Sequence, residues 1–305
     1  MKLYTTLLTI LLSATLSYSQ TYKPYVLGAE SSKSLLETKS QVKGNLKAQG
    51  FNILGEYLPA NDASRWVIIV SSDEMVQAVT SIGELTGFAA SLRIGLTQEN
   101  DKILISYTNP YYWGSAYFRK DFYKVKGYYD DINEKLIKAV SQTGTSKGIP
   151  FGSEKGIEAE DLHDYRYMFG MPRMDDTVLL AEFSSFEEAC ASIDKNLSLG
   201  LPNIQKVYST QVPGKKLKLY GIALNGEKGE ERFLPIIDIG DPKHTAFLPY
   251  EFLVMGNEVH MLHGRYRIAL SFPDLKMMTF TKIMSTPGDI KDLMKSVIMD
   301  VSSGL

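Results

Sequence analysis

One pattern occurs twice in this chain, about half its length apart. Val42-x-x-Asn45-Leu46 is followed by Asn52-Ile53, and Ile193-x-x-Asn196-Leu197 is followed by Asn203-Ile204 at the same spacing; Tyr57 and Tyr208 continue the match in register. A helix face that runs into a strand, repeated once, makes the chain read as two diverged copies of one module. The limits expected are 21–140 for module one, 141–176 for a linker and 177–305 for module two.

The local signals agree with that division. In module one a strand is expected over Tyr25 to Ala29, then a helix capped by Ser31 or Ser32 with Leu35, Val42 and Leu46 on its apolar face, ended by Gly50. Strands follow at Phe51 to Leu58 and at Arg65 to Val70, the latter near-continuously apolar, then a short helix over Asp73 to Ile82. Leu92 to Thr97 and Lys102 to Tyr107 flank the turn Gln98-Glu99-Asn100-Asp101, and Asp131 to Val140 closes the module as a helix. Module two is expected to repeat the order: strand Thr177 to Phe183, a helix capped by Ser184 or Ser185, strands at Ile204 to Gln211 and Leu217 to Leu224, and a hairpin around Gly256-Asn257. It then has a strand Arg267 to Phe272 and a closing helix from Asp289 to Val301. Residues 141–160, rich in Gly, Ser and charge, are expected as linker. The fold class is α+β: antiparallel sheets with helices packed on one face bury both apolar surfaces most economically.

This β-α-β4-α-like layout resembles the bacterial family known as domain of unknown function 302. The residues that carry the resemblance are Leu35 to Leu58, Trp66 to Val70, the ending Ile105-Ser106-Tyr107-Thr108-Asn109-Pro110, and Leu248-Pro249-Tyr250-Glu251 in module two. Gly240-Asp241-Pro242-Lys243 is similar to a further family stretch but lies downstream of where the repeat would put it. The resemblance implies a fold and no reaction.

The first twenty residues read as an export signal: Lys2, an apolar run from Leu3 to Leu16, and small residues at Ser17 and Ser19, with cleavage expected near Gln20. The run is shorter than the roughly 20 apolar residues of a membrane span, and no later stretch is a candidate, so the mature chain is expected outside the cytoplasm and not membrane-spanning. Lysine and arginine (33) nearly balance aspartate and glutamate (35), which argues against a nucleic-acid partner. The one cysteine, Cys190, excludes an internal disulfide and lies on a helical apolar face. No nucleophile elbow, phosphate loop or dinucleotide fingerprint is present, so no cofactor is implied.

Three groups of residues are candidates for function. The aromatic segment around Tyr111, Tyr112, Trp113 and Tyr117 has to pack between modules or subunits, line a ligand cleft or meet a membrane surface, because so many rings cannot stay in water. His260, His263, Arg265 and Arg267 follow the hairpin. Read on a strand, the two arginines share a face suited to an anion and the two histidines do not share one metal ion. Asp238, Asp241 and Glu251 with His244 or His260 form the set a hydrolase would use. The leading expectation is a non-enzymatic protein that binds a small molecule or protein partner in a groove between its modules, oligomerisation being open. A hydrolase and a structural subunit of an envelope assembly are the alternatives.

Overall fold

The computed structural model describes residues 20–299. The export signal and the last part of the expected closing helix lie outside them. Two antiparallel sheets form the body. After the short strand β1 (Thr21–Tyr22), the first half runs β2 (Tyr25–Ser31), α1 (Leu35–Ala48), β3 (Asn52–Tyr57), β4 (Arg65–Ser71), α2 (Asp73–Ile82), β5 (Leu92–Glu99), β6 (Lys102–Thr108), α3 (Pro110–Phe118), α4 (Phe122–Ser141) and β7 (Thr145–Phe151). The short elements β8 (Ile157–Glu158) and α5 (Ala159–Leu162) follow. The second half runs β9 (Val178–Glu182), α6 (Phe186–Ser198), β10 (Ile204–Gln211), β11 (Leu217–Leu224), α7 (Glu230–Ile237), β12 (Tyr250–Met255), β13 (Glu258–Met261), α8 (Gly264–Ser271), α9 (Met277–Lys282) and α10 (Thr286–Ile298). The strand orders are β3-β4-β5-β6-β2-β7 and β10-β11-β12-β13-β9, so apart from β7 the sheets have one order. The fold class is α+β.

Local chemistry starts and stops these elements where the sequence leads one to look, with shifts. Ser34, not Ser31 or Ser32, caps α1 in a capping box with Glu37, and Ser185 caps α6. Asn100 and Asp101 both adopt positive φ in the β5–β6 hairpin, as a tight turn between right-twisted strands demands. The larger departures have physical causes. Residues 145–151, expected as linker, are β7, which pairs with β2 at the edge of the first sheet. Of Arg267 to Phe272, expected as a strand, residues 267–271 belong to the helix α8 and Phe272 ends it. The aromatic run forms α3 and the start of α4, and α7 fills a stretch for which no element was expected.

Each sheet packs helices on one face and turns the other toward the opposite half. Val67, Ile68, Ile69 and Val70 of β4 are therefore all fully buried, although successive strand side chains point to opposite faces. At the junction two short 3₁₀ turns cross over: Glu84–Ala89 lies on β11 and β12, and Thr245–Phe247 lies on β4, β5 and β6. Their fit depends on side-chain size. A Cβ at Gly87 would come within 2.7 Å of Leu253 Cδ1, and one at Gly95 within 2.9 Å of the Ala246 nitrogen. Each glycine thus makes room for an element of the opposite half: Gly87 for the Leu253 side chain of β12, and Gly95 of β5 for the backbone at Ala246.

Candidate functional site

The middle of the junction is closed. Arg93 on β5 and Glu251 on β12 form an ion pair across it, both almost wholly buried. Glu251 also accepts from Tyr208 Oη and from Ser91 Oγ (3.3 Å), and those two hydroxyls are 2.7 Å apart. Beside this pair α3 and α8 meet. The Arg267 guanidinium lies 4.8 Å from the Trp113 ring centroid and donates to Phe247 O (2.6 Å) and Ser271 Oγ. Trp113 Nε1 donates to Pro24 O (2.8 Å), and Tyr112 Oη donates to Leu270 O (2.7 Å) in the other half. Among the described residues no carboxylate comes within ion-pair distance of Arg267; its charge rests on the aromatic faces, a carbonyl and a hydroxyl.

Another contact between the halves contains a titrating group. Glu230, at the start of α7, is fully buried and accepts from Tyr57 Oη (3.1 Å), Ala60 N (2.9 Å) and Leu224 N (3.2 Å). Burial pushes its carboxyl up to about 7, against an ordinary 4.5, even though these donors favour the charged form. A carboxyl raised on folding holds its proton more tightly in the folded state. Its stabilisation is therefore complete below pH 4.5 and lost as pH rises through 7. Between about pH 5.5 and 7.5 the unfolding free energy should fall by about 2 kcal/mol from this group. Urea titrations at the two pH values should show that fall in the parent and not in Glu230→Gln; equal slopes would show that Glu230 is ionised in both states.

An opening remains at the edge of the junction. A cavity of about 220 Å³ is lined by Gly152 after β7, Ile237 and Ile239 at the end of α7, His244, and Phe272, Asp274, Leu275, Lys276 and Thr279 around α9. His244 is its one imidazole. Its ring stacks on Phe151 (centroids 5.8 Å apart, planes at 3°), meets Phe272 edge-on at 4.5 Å and lies 5.1 Å from Tyr25. Behind it stands Asp238, which accepts from the His244 backbone N–H (2.9 Å) and from Arg65 Nη1. His244 Nδ1 is 3.2 Å from Asp238 Oδ1, though off the line a hydrogen bond needs. Burial would raise the Asp238 carboxyl, but His244 and Arg65 outweigh it and hold it below the usual range. Nε2 points to the Gly152 side: a Cβ there would lie 3.1 Å from it and 2.7 Å from the Tyr25 ring, at a φ of +93°. Gly152 thus keeps the imidazole accessible and supplies a backbone shape that a side chain would strain.

The structure scatters the sequence candidates. Tyr112, Trp113 and Tyr117 are buried in the wall between the halves, whereas Tyr111 is half-buried, stacks on Tyr22 at 5.5 Å and donates to Asp130 (2.9 Å). His260 lies on β13, 2.8 Å from Glu258 and 3.1 Å from Thr177. His263 caps α8 by accepting from Arg265 N (3.2 Å). Because residues 264–271 are helical, Arg265 and Arg267 do not share a strand face: Arg265 is exposed and Arg267 buried. Of the hydrolase set only Asp238 and His244 meet. Glu251 belongs to the Arg93 pair, Asp241 is exposed beside Lys243 (3.0 Å) and His260 is on the hairpin. Sequence reading missed Arg65, Arg93 and Glu230. An arginine between Leu92 and Ile94 in an apolar strand was the available signal for the second of these. Cys190 is half-buried and burial pushes its thiol up, as for a packing residue. No helix among the described residues is long and apolar enough to cross a membrane.

No protein-family profile matches the chain, and no curated protein does. Among solved structures, it is similar to the crystal structure of an uncharacterized conserved protein of domain of unknown function 302 from Bacillus stearothermophilus. The identity is 18%, the match covers 39% of this chain and 97% of that one, and the TM-score is 0.35.

Proposed function

We propose that this chain is an exported, non-catalytic binding protein made of two diverged copies of one module, and that the cavity beside His244 holds its ligand. The observation that carries the reading is a built imidazole. Asp238 and Arg65 sit behind His244, three aromatic rings surround it, and its Nε2 side faces an otherwise mostly apolar cavity lined from both halves. Binding sites of small molecules combine such apolar walls with a few placed polar groups. At about 220 Å³ the cavity lies below the ~300–1,000 Å³ of drug-sized sites, so its occupant is a small, flat, largely apolar molecule. Its one polar group meets His244.

Native mass spectrometry of the chain purified gently from an exporting cell tests this. The expected result is an added mass that leaves on denaturation and is absent from Thr279→Trp, in which an indole plugs the cavity. A bare mass in the parent, or an added mass that survives the plug, would sink the proposal.

The Asp238–His244 pair favours a second reading, acid–base hydrolysis, since a carboxylate behind an imidazole is what a general base uses. The lining brings no serine or cysteine to the cavity, and its hydroxyl is that of Thr279, so the nucleophile would be water or Thr279. Turnover of a small aryl ester that disappears in His244→Ala would favour this reading over simple binding.

A further inference from the structure

β2 and β9 occupy the same place in their sheets and carry nearly the same residues. Val26-Leu27-Gly28-Ala29-Glu30 corresponds to Val178-Leu179-Leu180-Ala181-Glu182, differing only at Gly28 and Leu180. Each pairs antiparallel with the second strand of its hairpin, β6 or β13, and each pairing slips at that differing position. They differ in what lies outside. β7 covers the outer edge of β2, with Ile149 opposite Leu27 and Lys147 Nζ 3.1 Å from the Glu30 carboxylate. β9 ends its sheet. The effect appears in one number: Leu27 is 7% exposed and its counterpart Leu179 is 49% exposed.

A strand edge of this kind presents unpaired backbone N–H and C=O groups, and proteins usually blunt it with proline, lysine or a covering element. The residues Val-Leu-Leu-Ala-Glu of β9 supply no proline or lysine. A groove of about 400 Å³ runs beside it, lined by Val178, His263, Arg265, Met284 and Lys291 among others. The matching groove beside β2 is lined by Val26, Asn109 and Tyr111, with Gly148 and Pro150 of β7 forming part of its wall.

We propose that β9 is a docking edge for an extended segment of a partner polypeptide, which lies antiparallel on it as β7 lies on β2. The segment places an aliphatic side chain over Leu179 and a lysine at Glu182. β7 defines that chemistry, because it is what this same strand sequence binds in the first half. Charge agrees: Glu30 receives Lys147 and Lys102, whereas Glu182 is exposed and accepts only from the Asn257 amide (3.2 Å) among the described residues. In such strand addition the main chain supplies affinity and alternate side chains supply selection.

The probe is a labelled peptide with the sequence of residues 144–152, Gly-Thr-Ser-Lys-Gly-Ile-Pro-Phe-Gly, titrated with the purified chain by fluorescence anisotropy. The expected result is saturable binding that weakens about tenfold in Glu182→Lys and is lost in Leu179→Asp. A peptide with glutamate in place of its lysine should recover binding to Glu182→Lys. Both protein variants change exposed positions and should keep the parent's melting temperature. Absence of saturable binding at millimolar peptide would overturn the proposal. So would binding indifferent to Glu182→Lys, which would place the peptide elsewhere. A dimer of the chain alone that Leu179→Asp dissociates, with no peptide bound, would overturn it by showing that a second copy covers the edge.

Discussion

Arg93→Ala should lower the unfolding free energy by about 3–5 kcal/mol, because it leaves Glu251 charged and unpaired in a site from which water is excluded. The loss measures an abandoned charge and not the net worth of the pair. The double variant Arg93→Met/Glu251→Leu should therefore recover most of the stability: it removes both charges and fills similar volume. It also leaves few orphans, since Ser91 Oγ and Tyr208 Oη, 2.7 Å apart, can satisfy each other. Urea unfolding of the parent, the single and the double variant decides the matter. A single variant that costs less than about 1 kcal/mol would mean that water reaches the pair, as at a surface ion pair, and that the junction is open.

Trp113→Ala should be of similar size, about 3–5 kcal/mol, as expected for removing a large buried aromatic ring. For a chain of this length that amounts to a fall in melting temperature on the order of 10 °C. The ring does three things at once: it fills the space between α3 and α8, its indole N–H satisfies Pro24 O, and its face lies against the Arg267 guanidinium. Trp113→Phe keeps most of the apolar surface and should recover a large part of the loss. A ligand-stacking tryptophan would behave oppositely, with Trp113→Ala leaving the melting temperature unchanged. Thermal unfolding of the two variants thus separates a wall from a binding surface.

These two residues show where sequence reading reached and where it stopped. The number of rings in the aromatic segment demands cover on sequence grounds alone, and the structure buries Tyr112, Trp113 and Tyr117. What no pattern conveyed was the conversion of Arg267 from a surface anion receptor into a buried neighbour of Trp113. Arg265 and Arg267, two apart beside alternating apolar residues, fit a strand; in α8 the same spacing sends one outward and the other into the junction. At the candidate site, residue type alone marks Asp238 and His244 as chemistry-bearing. Their meeting depends on the path of the loop 238–244 and on Arg65, which comes from the other half of the chain.

Periodicity, caps and turn chemistry were enough to determine the α+β class, the hairpins, most strands and the repeated helix-to-strand unit. Those signals arise from a boundary with water: an amphipathic helix or a half-solvated strand writes its geometry into the spacing of its apolar residues. Where that boundary is missing, only the tertiary structure decides. α3 and α8 are wedged between the two halves and buried nearly all round, so neither carries an apolar stripe to betray a helix. β7 is the opposite case. Its side chains are almost all exposed, and what makes Thr-Ser-Lys-Gly-Ile-Pro-Phe a strand is the backbone edge that β2 offers it.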